Sequence, residues 1–249
     1  MKVTVITVSY NSAATIADTV RSVASQTYSN VEHLVIDGQS TDGTVQVVDA
    51  HWHPNLALRS EPDEGIYDAM NKGVAAANGD VIAFLNADDQ YANPNVLADV
   101  VERMRACSLD ALMGDVAFYS PGRPERVVRR YSSGRFSPER LAWGWMPAHP
   151  ALFLRREVFL RTGRFRTDYK IAGDFEFVIR AFSNGQISYQ YFPEILVKMQ
   201  TGGASTAGLR ATVLLNREVL RACRENGIST NLLKILSKYP SKLLEFLCR

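Results

Sequence analysis

Hydrophobic residues in the first half of the chain fall into four short runs, and amphipathic segments separate them. The runs are "KVTVITVSY", "VEHLVID", "LALRSE" and "DVIAFL", and each has the length and the β-branched content of a strand. Helical periodicity predicts helices over residues 12–26, 45–51 and 66–77, and Pro94 opens a fourth helix that runs to residue 106. This alternation predicts an α/β fold with a mostly parallel central sheet and helices on both faces.

The second half of the chain is less regular. "LDALMGDVAFY" and "ERVVRRY" predict a hairpin, "HPALFLR" predicts a further strand, and "AGDFEFVIRAFSNG" predicts a helix that ends near Gly185. The last forty residues predict two helices. Because no repeat or linker interrupts the chain, we expect one α/β domain over residues 1–208 and a helical extension over residues 209–249.

The composition is that of an ordinary globular protein, with 249 residues, 46% hydrophobic and 22% charged. No run approaches the roughly 18 apolar residues that a spanning helix needs. The start of the chain lacks the small-residue cleavage site of a signal peptide. Cys107, Cys223 and Cys248 are too few and too scattered for a disulfide framework or a zinc site, which favours a reducing compartment. We therefore expect a cytoplasmic protein with no nucleic-acid partner.

The net charge of +2 conceals a basic C-terminal segment. From Leu209 onward the chain has eight Lys or Arg and three Glu, whereas the first 208 residues have 20 basic and 23 acidic residues. The last segment, "TNLLKILSKYPSKLLEFLCR", interleaves leucines with Lys234, Lys238, Lys242 and Arg249. It fits peripheral docking on an anionic membrane, at the inner face of the cytoplasmic membrane. Packing of the same apolar stripe against the domain is the alternative.

Two adjacent aspartates follow the fourth apolar run, in "FLNADDQY". The carboxyl ends of strands form the ligand crevice of an open α/β sheet. Repulsion and desolvation make neighbouring carboxylates costly unless a cation or hydrogen-bond donors compensate. Asp88 and Asp89 therefore fit a divalent cation such as Mg²⁺, which takes one or two carboxylates and fills its other positions with water and phosphate oxygens. A helix-capping turn is the alternative.

Three segments, taken together, resemble the glycosyltransferase family 2 pattern. They are "TVSYNSAATIADTVRSVASQTYSNVEHLVIDGQSTDGT", "EPDEGIYDAMNKGVAAANGDVIAFLNADDQY" and "GDFEFVIR", and the resemblance runs in order over most of residues 3–206. It implies a Rossmann-like GT-A fold over residues 1–208, a nucleotide-sugar donor, Mg²⁺ or Mn²⁺, and inversion at the anomeric carbon. The "DEGIYDAMNKG" block is most similar to bacterial enzymes that extend capsular, exopolysaccharide or colanic-acid repeat units. A lipid-linked glycan acceptor would follow.

The resemblance implies a set of nucleotide-binding residues. The matching positions are Val8, Tyr10, Asp37, Asp63, Asn71 and Lys72. Tyr10 would stack on the base against an apolar wall at Val8, and Asp37 would accept hydrogen bonds from base or ribose. The family usually has a second acid after this position, where this chain has Gly38. For Asp37 the alternative is an Asx turn, and for Lys72 it is an ordinary surface lysine.

The resemblance also assigns the metal and the chemistry. Asp88 matches the metal-binding carboxylate, with Asp89 as a second ligand or an orienting group, although Asn86 stands where the family more often has an acid. Asp174 of "GDFEFVIR" matches the general base that would take the proton of the acceptor hydroxyl. Simple capping of a helix is the alternative, and it would depress the pKa of that carboxyl. His149 matches a position on the acceptor side of the cleft.

Two other functions remain open on sequence grounds. A sugar nucleotidyltransferase also combines an α/β sheet with Mg²⁺, but "SYNSAAT" lacks the glycine-rich basic loop expected after its first strand. A binding module for nucleotide or carbohydrate could keep the fold without turnover. "TGGAST" could place backbone N–H groups over a diphosphate, or could be a plain connector.

Overall fold

The computed structural model describes residues 1–120, 123–201 and 208–239, and the nine strands within these ranges form one sheet. The strands are β1 (Val3–Ser9), β2 (Val31–Asp37), β3 (Leu56–Ser60), β4 (Val81–Phe84), β5 (Asp89–Tyr91), β6 (Ala111–Ser120), β7 (Arg123–Tyr131), β8 (Leu152–Arg155) and β9 (Tyr189–Gln200). The helices are α1 (Ile16–Ala24), α2 (Thr44–Ala50), α3 (Ile66–Ala76), α4 (Val96–Ala106), α5 (Arg156–Thr162), α6 (Gly173–Phe182), α7 (Leu209–Glu225) and α8 (Leu232–Leu236).

The sheet has the order β3-β2-β1-β4-β8-β6-β9-β5, and β7 pairs with β6. The first four strands of this order are parallel, as are β6 and β9, whereas β8 runs antiparallel between β4 and β6. The register places Ser9 opposite Asp37, and Asp37 opposite Ser60. The carboxyl ends of β1, β2 and β3 are therefore level, and their loops share one edge of the sheet.

Apolar side chains cover both faces of the sheet, as the sequence predicts for parallel strands. On one face, Ile6 and Ile36 pack with α3 and α6 in the largest hydrophobic cluster. On the other face, Val3 and Val5 pack with α4 in a second cluster, and α1 and α2 bury Ile16 and Val48 in a third. The predicted α/β fold with helices on both faces is confirmed.

The predicted elements of the first half are present, with small shifts at their ends. α1 begins only at Ile16, because residues 10–15 form a bend and turn above the sheet edge. In the second half, β6 and β7 form the predicted hairpin. The predicted strand over residues 149–155 is shorter: His149–Ala151 is a 3-10 turn, and only Leu152–Arg155 pairs in the sheet.

The two predicted C-terminal helices pack against the domain as far as the structure describes them. α7 lies against α6, and α8 lies against α7. Val219, Ala222 and Ile235 are buried in the same cluster as α3 and α6. Residues 202–207, which hold most of the predicted glycine-rich segment, and residues 240–249, which include Lys242 and Arg249, lie outside the described residues. None of the described helices has the length and apolar character needed to cross a membrane.

Candidate active site

A cavity of about 480 Å³ opens at the carboxyl ends of β1 and β2. Three residues of the predicted nucleotide site, Val8, Tyr10 and Asp63, line it, together with Ile66 and neighbouring groups. Tyr10 is 67% exposed, so its ring is accessible to a ligand, whereas Val8 is buried and provides an apolar wall. The volume falls in the range of roughly 300–1,000 Å³ that is typical of small-molecule sites. The cavity can therefore hold a nucleoside.

Asp37 lies beside this cavity but is fully buried. Its carboxylate accepts hydrogen bonds from Ser9 Oγ (3.1 Å), Ser60 Oγ (2.7 Å) and both the backbone N–H (2.9 Å) and hydroxyl of Ser40. Burial alone raises the pKa of a carboxyl, but here these hydrogen bonds hold the pKa of Asp37 below its usual value. Asp37 thus fixes three strand ends, and its role as a nucleotide contact stays a prediction.

A side chain on residue 38 would require the Asp63 carboxylate, which lies against Gly38, to move. A Cβ on residue 38 would lie 2.5 Å from Asp63 Oδ2. Asp63 Oδ1 already accepts from the backbone N–H of Gly65 (2.9 Å), which leaves Oδ2 directed at the position where the family more often has an acid. The Asp63 carboxylate thus lies against Gly38 in the lining of the cavity.

Asn71 and Lys72 do not line the cavity. The Asn71 side-chain amide is used by the backbone of Phe165: Nδ2 donates to its carbonyl (2.9 Å), and Oδ1 accepts from its N–H (2.8 Å). Lys72 Nζ donates to the Pro62 carbonyl (2.6 Å) and lies 3.2 Å from Asp68 and 3.4 Å from Glu61. Both residues support the walls of the site, and direct contact with nucleotide stays a prediction for each.

Asp88 follows β4 at the same edge of the sheet and is half-buried. Within the described ranges, no other residue donates a hydrogen bond to its carboxylate. Burial raises the pKa of this carboxyl. A half-buried carboxylate without a donor has unused ligand capacity, which a cation would satisfy.

Asp89 and Asn86 contribute further acceptors that lack partners. Asp89 is fully buried on β5, and burial together with the charge of Asp88 raises its pKa well above the usual value. Asn86 Nδ2 donates to Asp89 Oδ2 (3.2 Å), but Asn86 Oδ1 and Asp89 Oδ1 are both buried without a donor. The donor set therefore fits a hard cation, which prefers oxygen ligands.

The protein offers only part of a metal shell. The described residues contain no group of three or more His, Cys, Asp or Glu side chains that could hold a metal ion. Mg²⁺ typically takes only one or two carboxylates and completes its shell with water and substrate phosphates. This set of ligands fits an ion that is held jointly with a diphosphate, and the metal itself stays a prediction.

Asp174 lies in the first turn of α6. Phe175 N donates to its Oδ1 (2.8 Å), and the Tyr67 hydroxyl lies 3.4 Å from the same oxygen. Burial raises the pKa of Asp174, and His149 and these hydrogen bonds only partly oppose the shift. The depressed pKa that simple capping predicts is therefore absent, and the direction of the shift suits a general base.

His149 lies between the end of β4 and Asp174. Its ring stacks on Phe84 with centroids 5.1 Å apart, and it meets the Phe165 ring edge-on at 6.2 Å. Burial lowers the pKa of this imidazole, and Asp174 opposes the shift. His149 thus packs among aromatic rings, and its electrostatic interaction with Asp174 places it near the carboxylate for which the sequence analysis predicts a catalytic role.

Tyr67 is a site residue that the sequence analysis missed. Its hydroxyl donates to the Ile171 carbonyl (2.6 Å), and its ring lies so close to Gly173 that a Cβ there would be 2.7 Å from Tyr67 Cε2. Burial raises the pKa of this phenol, which keeps it a donor at neutral pH. In the sequence, Tyr67 follows the helical spacing of core residues, and nothing there distinguishes it from them.

Residues 4–173 match the family described as "Glycosyl transferase family 2". The chain belongs to glycosyltransferase family 2. It is 33% identical over 196 residues to an uncharacterized glycosyltransferase of Mycobacterium tuberculosis, covering 72% of this chain and 68% of that protein. It is 32% identical over 216 residues to a PGL/p-HBAD biosynthesis glycosyltransferase of Mycobacterium bovis, covering 85% and 79%. The predicted transferase class is confirmed.

Solved structures of other proteins support the fold. S. aureus TarS superposes with a TM-score of 0.64 at 21% identity, covering 88% of this chain and 40% of that one. The mannosyltransferase PcManGT of Pyrobaculum calidifontis, solved with GDP-Man and Mn²⁺, gives 0.64 at 23%, covering 88% and 64%. This chain thus spans less than two thirds of either structure. At these identities the likeness establishes the GT-A fold alone.

Proposed function

We propose that this family 2 member is an inverting, metal-dependent glycosyltransferase. It moves a hexosyl or deoxyhexosyl group from a nucleotide-sugar donor to a hydroxyl of a lipid-linked glycan in bacterial surface polysaccharide synthesis. One observation carries the proposal: the nucleoside-sized cavity lies at the carboxyl ends of β1 and β2, Asp88 follows the neighbouring parallel strand β4, and Tyr67, next to the cavity-lining Ile66, reaches the Asp174 carboxylate. Structures of this fold with GDP-Man or UDP-GlcNAc bound support the donor class.

The nucleoside lies in the cavity, with its base stacked on Tyr10 and facing Val8 and Asp63. Asp174 accepts the proton of the acceptor hydroxyl as the acceptor oxygen forms its bond to C1 of the sugar. The bond between C1 and the diphosphate oxygen breaks, and the nucleoside diphosphate leaves with the electron pair. Attack opposite the leaving group inverts the anomeric centre. Burial keeps the pKa of Asp174 raised, and His149, packed on the rings of Phe84 and Phe165, lies near this carboxylate.

Asp88 would hold the metal, with Asn86 and Asp89 supplying the buried oxygens that lack donors. The bound ion supplies charge stabilisation for the departing diphosphate. Because the protein contributes so few ligands, we expect Mn²⁺ to bind weakly without a nucleotide diphosphate and much more tightly with it. Binding of Mn²⁺ of similar strength with and without nucleotide would contradict this joint site.

The Asp174→Asn variant tests the chemistry. General-base catalysis contributes roughly 10²–10⁴-fold, so we expect transfer and donor hydrolysis to fall by about that factor while donor affinity persists. Asp99→Asn is a matched control, because Asp99 also lies in the first turn of a helix, α4, far from the cavity. If Asp174→Asn keeps wild-type transfer and hydrolysis, Asp174 is not the base and the mechanism fails.

The Asp88→Ala variant tests the metal site. We expect the Mn²⁺-dependent gain in nucleotide affinity, measured by calorimetry, to fall at least about 10-fold. Asp80→Ala is the control, because Asp80 lies at the opposite end of β4 and pairs with the chain start. Unchanged Mn²⁺-dependent affinity in Asp88→Ala would remove Asp88 from the metal site.

A thermal-shift screen identifies the donor. We expect one of UDP-, GDP- or dTDP-sugars, with Mn²⁺, to raise the Tm, because a ligand that binds only the folded state stabilises it. Turnover separates the proposal from the two alternatives. A binding module would bind without releasing nucleotide, and a nucleotidyltransferase would release pyrophosphate from a nucleoside triphosphate and a sugar phosphate.

A further inference from the structure

Glu218 on α7 is a buried anion whose partners are all backbone amides. Its Oε1 accepts from the N–H of Lys170 (2.8 Å), and its Oε2 accepts from those of Ile171 (2.9 Å) and Ala172 (2.8 Å). Only 7% of the residue is exposed, and within the described ranges no Lys or Arg pairs with it. Three successive N–H groups directed at one anion form an arrangement known from anion-binding nests.

The three amides belong to the segment that leads directly into Asp174. Ala172 precedes α6, and its carbonyl accepts from Glu176 N (3.0 Å) in the first turn of that helix. Glu218 therefore holds the entry to α6 from the side of α7. Charge-assisted hydrogen bonds are about twice as strong as neutral ones, so the Glu218 carboxylate holds the backbone of residues 170–172 firmly.

Tyr67 on α3 holds the same segment. Its hydroxyl donates to the Ile171 carbonyl (2.6 Å), and its ring packs on Gly173. Among the described residues, Asp174 has only Phe175 N (2.8 Å) and the Tyr67 hydroxyl (3.4 Å) as hydrogen-bond partners from other residues. The place of its carboxylate is thus set by the backbone of residues 170–173, which is held by Glu218 and Tyr67.

We propose that Glu218 is a positioning residue for the catalytic carboxylate, acting through the backbone amides of residues 170–172. The inference rests on the proposed function, in which Asp174 is the base. A shift of the reacting groups by about 1 Å can cost about 10²-fold in rate, so a loose entry to α6 is sufficient to slow transfer. Glu218 does not touch substrate, and its loss leaves the nucleotide cavity unchanged.

The Glu218→Gln variant tests the inference. Gln keeps the shape but loses the charge and turns an N–H₂ group toward an amide donor. We expect kcat for nucleotide release to fall about 10- to 100-fold, with KM for the donor unchanged. The donor is whichever of UDP-glucose, UDP-GlcNAc, GDP-mannose and dTDP-rhamnose the wild-type protein turns over with Mn²⁺. In an Asp174→Asn background the same substitution should cost less than 2-fold further, since its effect passes through Asp174.

Glu225→Gln is the matched control on the same helix. Glu225 binds the Tyr169 hydroxyl (2.8 Å), Arg166 (2.7 Å) and Arg221 (2.8 Å), but no amide of residues 170–172. We expect Glu225→Gln to keep kcat within 2-fold. Amide hydrogen exchange over residues 170–175 should rise in Glu218→Gln and stay at the wild-type level in Glu225→Gln.

The outcomes separate this inference from the proposed function. Wild-type kcat in Glu218→Gln together with an inactive Asp174→Asn overturns only the positioning role. Full activity in Asp174→Asn, or no turnover of any donor by the wild-type protein, overturns the proposed function instead. Unchanged exchange of amides 170–172 in Glu218→Gln overturns the positioning role whatever the activity.

Discussion

Asp174 is in an environment that favours its protonated form, and this has opposite consequences for activity and stability. Its pKa is raised by burial in the folded protein, whereas in the unfolded chain it is about 4. The stability contributed by the protonated carboxyl is therefore present below about pH 4 and is lost as the pH rises through the folded pKa. At pH 7 the ionised carboxylate that the proposed mechanism needs therefore lowers the stability of the fold.

We expect Asp174→Asn to be inactive yet more stable than the wild type at pH 7. Asn cannot ionise, so the variant lacks the free-energy cost of a buried ionised carboxylate. A gain of roughly 2–4 °C in Tm corresponds to about 1 kcal/mol in a chain of this size. Melts at pH 7 and at pH 3.5 check the sign, because the difference should shrink at the lower pH. A lower Tm at pH 7 would mean that Asp174 serves as a stabilising cap.

The contact between Gly38 and Asp63 predicts that one acidic side chain fits at this place, from residue 63 or from residue 38, but not two. Gly38→Asp would place a Cβ 2.5 Å from Asp63 Oδ2 and set two carboxylates together. We expect nucleotide affinity to fall roughly 5- to 10-fold, or about 1–1.4 kcal/mol. In Gly38→Asp/Asp63→Ala, one carboxylate again faces the cavity, and most of the affinity should return. Gly38→Ala separates steric from charge effects; a double variant weaker than both single variants would contradict this prediction.

At the scale of elements, α7 is bound to the rest of the fold by buried apolar contacts and by buried hydrogen bonds. Val219, Ala222 and Cys223 are at most 2% exposed, and Glu218 accepts three hydrogen bonds from another segment. The predicted boundary at residue 208 therefore cuts through a packed core. Whether residues 1–208 fold alone is a question that truncation can answer.

We expect a chain that ends at residue 239 to unfold cooperatively and a chain that ends at residue 208 not to. Truncation at 208 removes Glu218 and leaves three backbone N–H groups without their acceptor, which lowers the free energy of unfolding by roughly 1–3 kcal/mol for each group that stays buried. It also exposes the apolar face of α6, against a total stability of about 5–15 kcal/mol. Circular dichroism melts and gel filtration check this. A cooperative melt and nucleotide binding by residues 1–208 would establish them as an autonomous domain.

Most regular elements of the chain follow from periodicity, but β5, β9 and α5 do not. β9 contains Pro193, and its register with β6 shifts between Tyr191 and Ile195 and again between Ile195 and Val197, so alternation is broken along the strand. β5 is three residues long, and α5 has seven, which is too short for helical periodicity to be distinct. These elements form because neighbouring strands and helices supply their partners.

The candidate site, like the fold, was predictable only in part. Val8, Tyr10 and Asp63 share a cavity because parallel strands end at one edge, a property that a sequence can indicate. Glu218 was not predictable, because in "NREVLRACRE" an acid among arginines indicates surface ion pairs. Only the packing of α7 on α6 shows that Glu218 points inward. Of these two glutamates, Glu225 is the one that forms surface ion pairs, with Arg166 and Arg221.

At the scale of the whole molecule, exposed apolar side chains lie in the first part of α7 and at the start of α8, two helices that pack on each other. Asn216 donates to the Tyr239 hydroxyl (2.7 Å), which places the residues just after α8 beside the middle of α7. Leu209 is 86% exposed and Leu233 81%, and Val213 and Leu232 are about half exposed. Lys234 lies over the Trp143 ring, 5.5 Å from its centroid. Apolar side chains among cations are typical of a surface that docks on anionic lipid.

We expect the full chain to float with vesicles that contain anionic lipid, and less so at high salt, since screening weakens attraction to the headgroups. Leu232→Ser/Leu233→Ser should reduce flotation severalfold without lowering Tm, because both side chains are exposed. Leu160→Ser is the control, since Leu160 is 73% exposed on α5, away from this surface. Deletion of residues 240–249 measures the part played by the tail. Equal flotation of the wild type, the double variant and the deletion would leave packing on the domain as the role of these helices. The lipid-linked acceptor that we propose would then have to be reached by another surface.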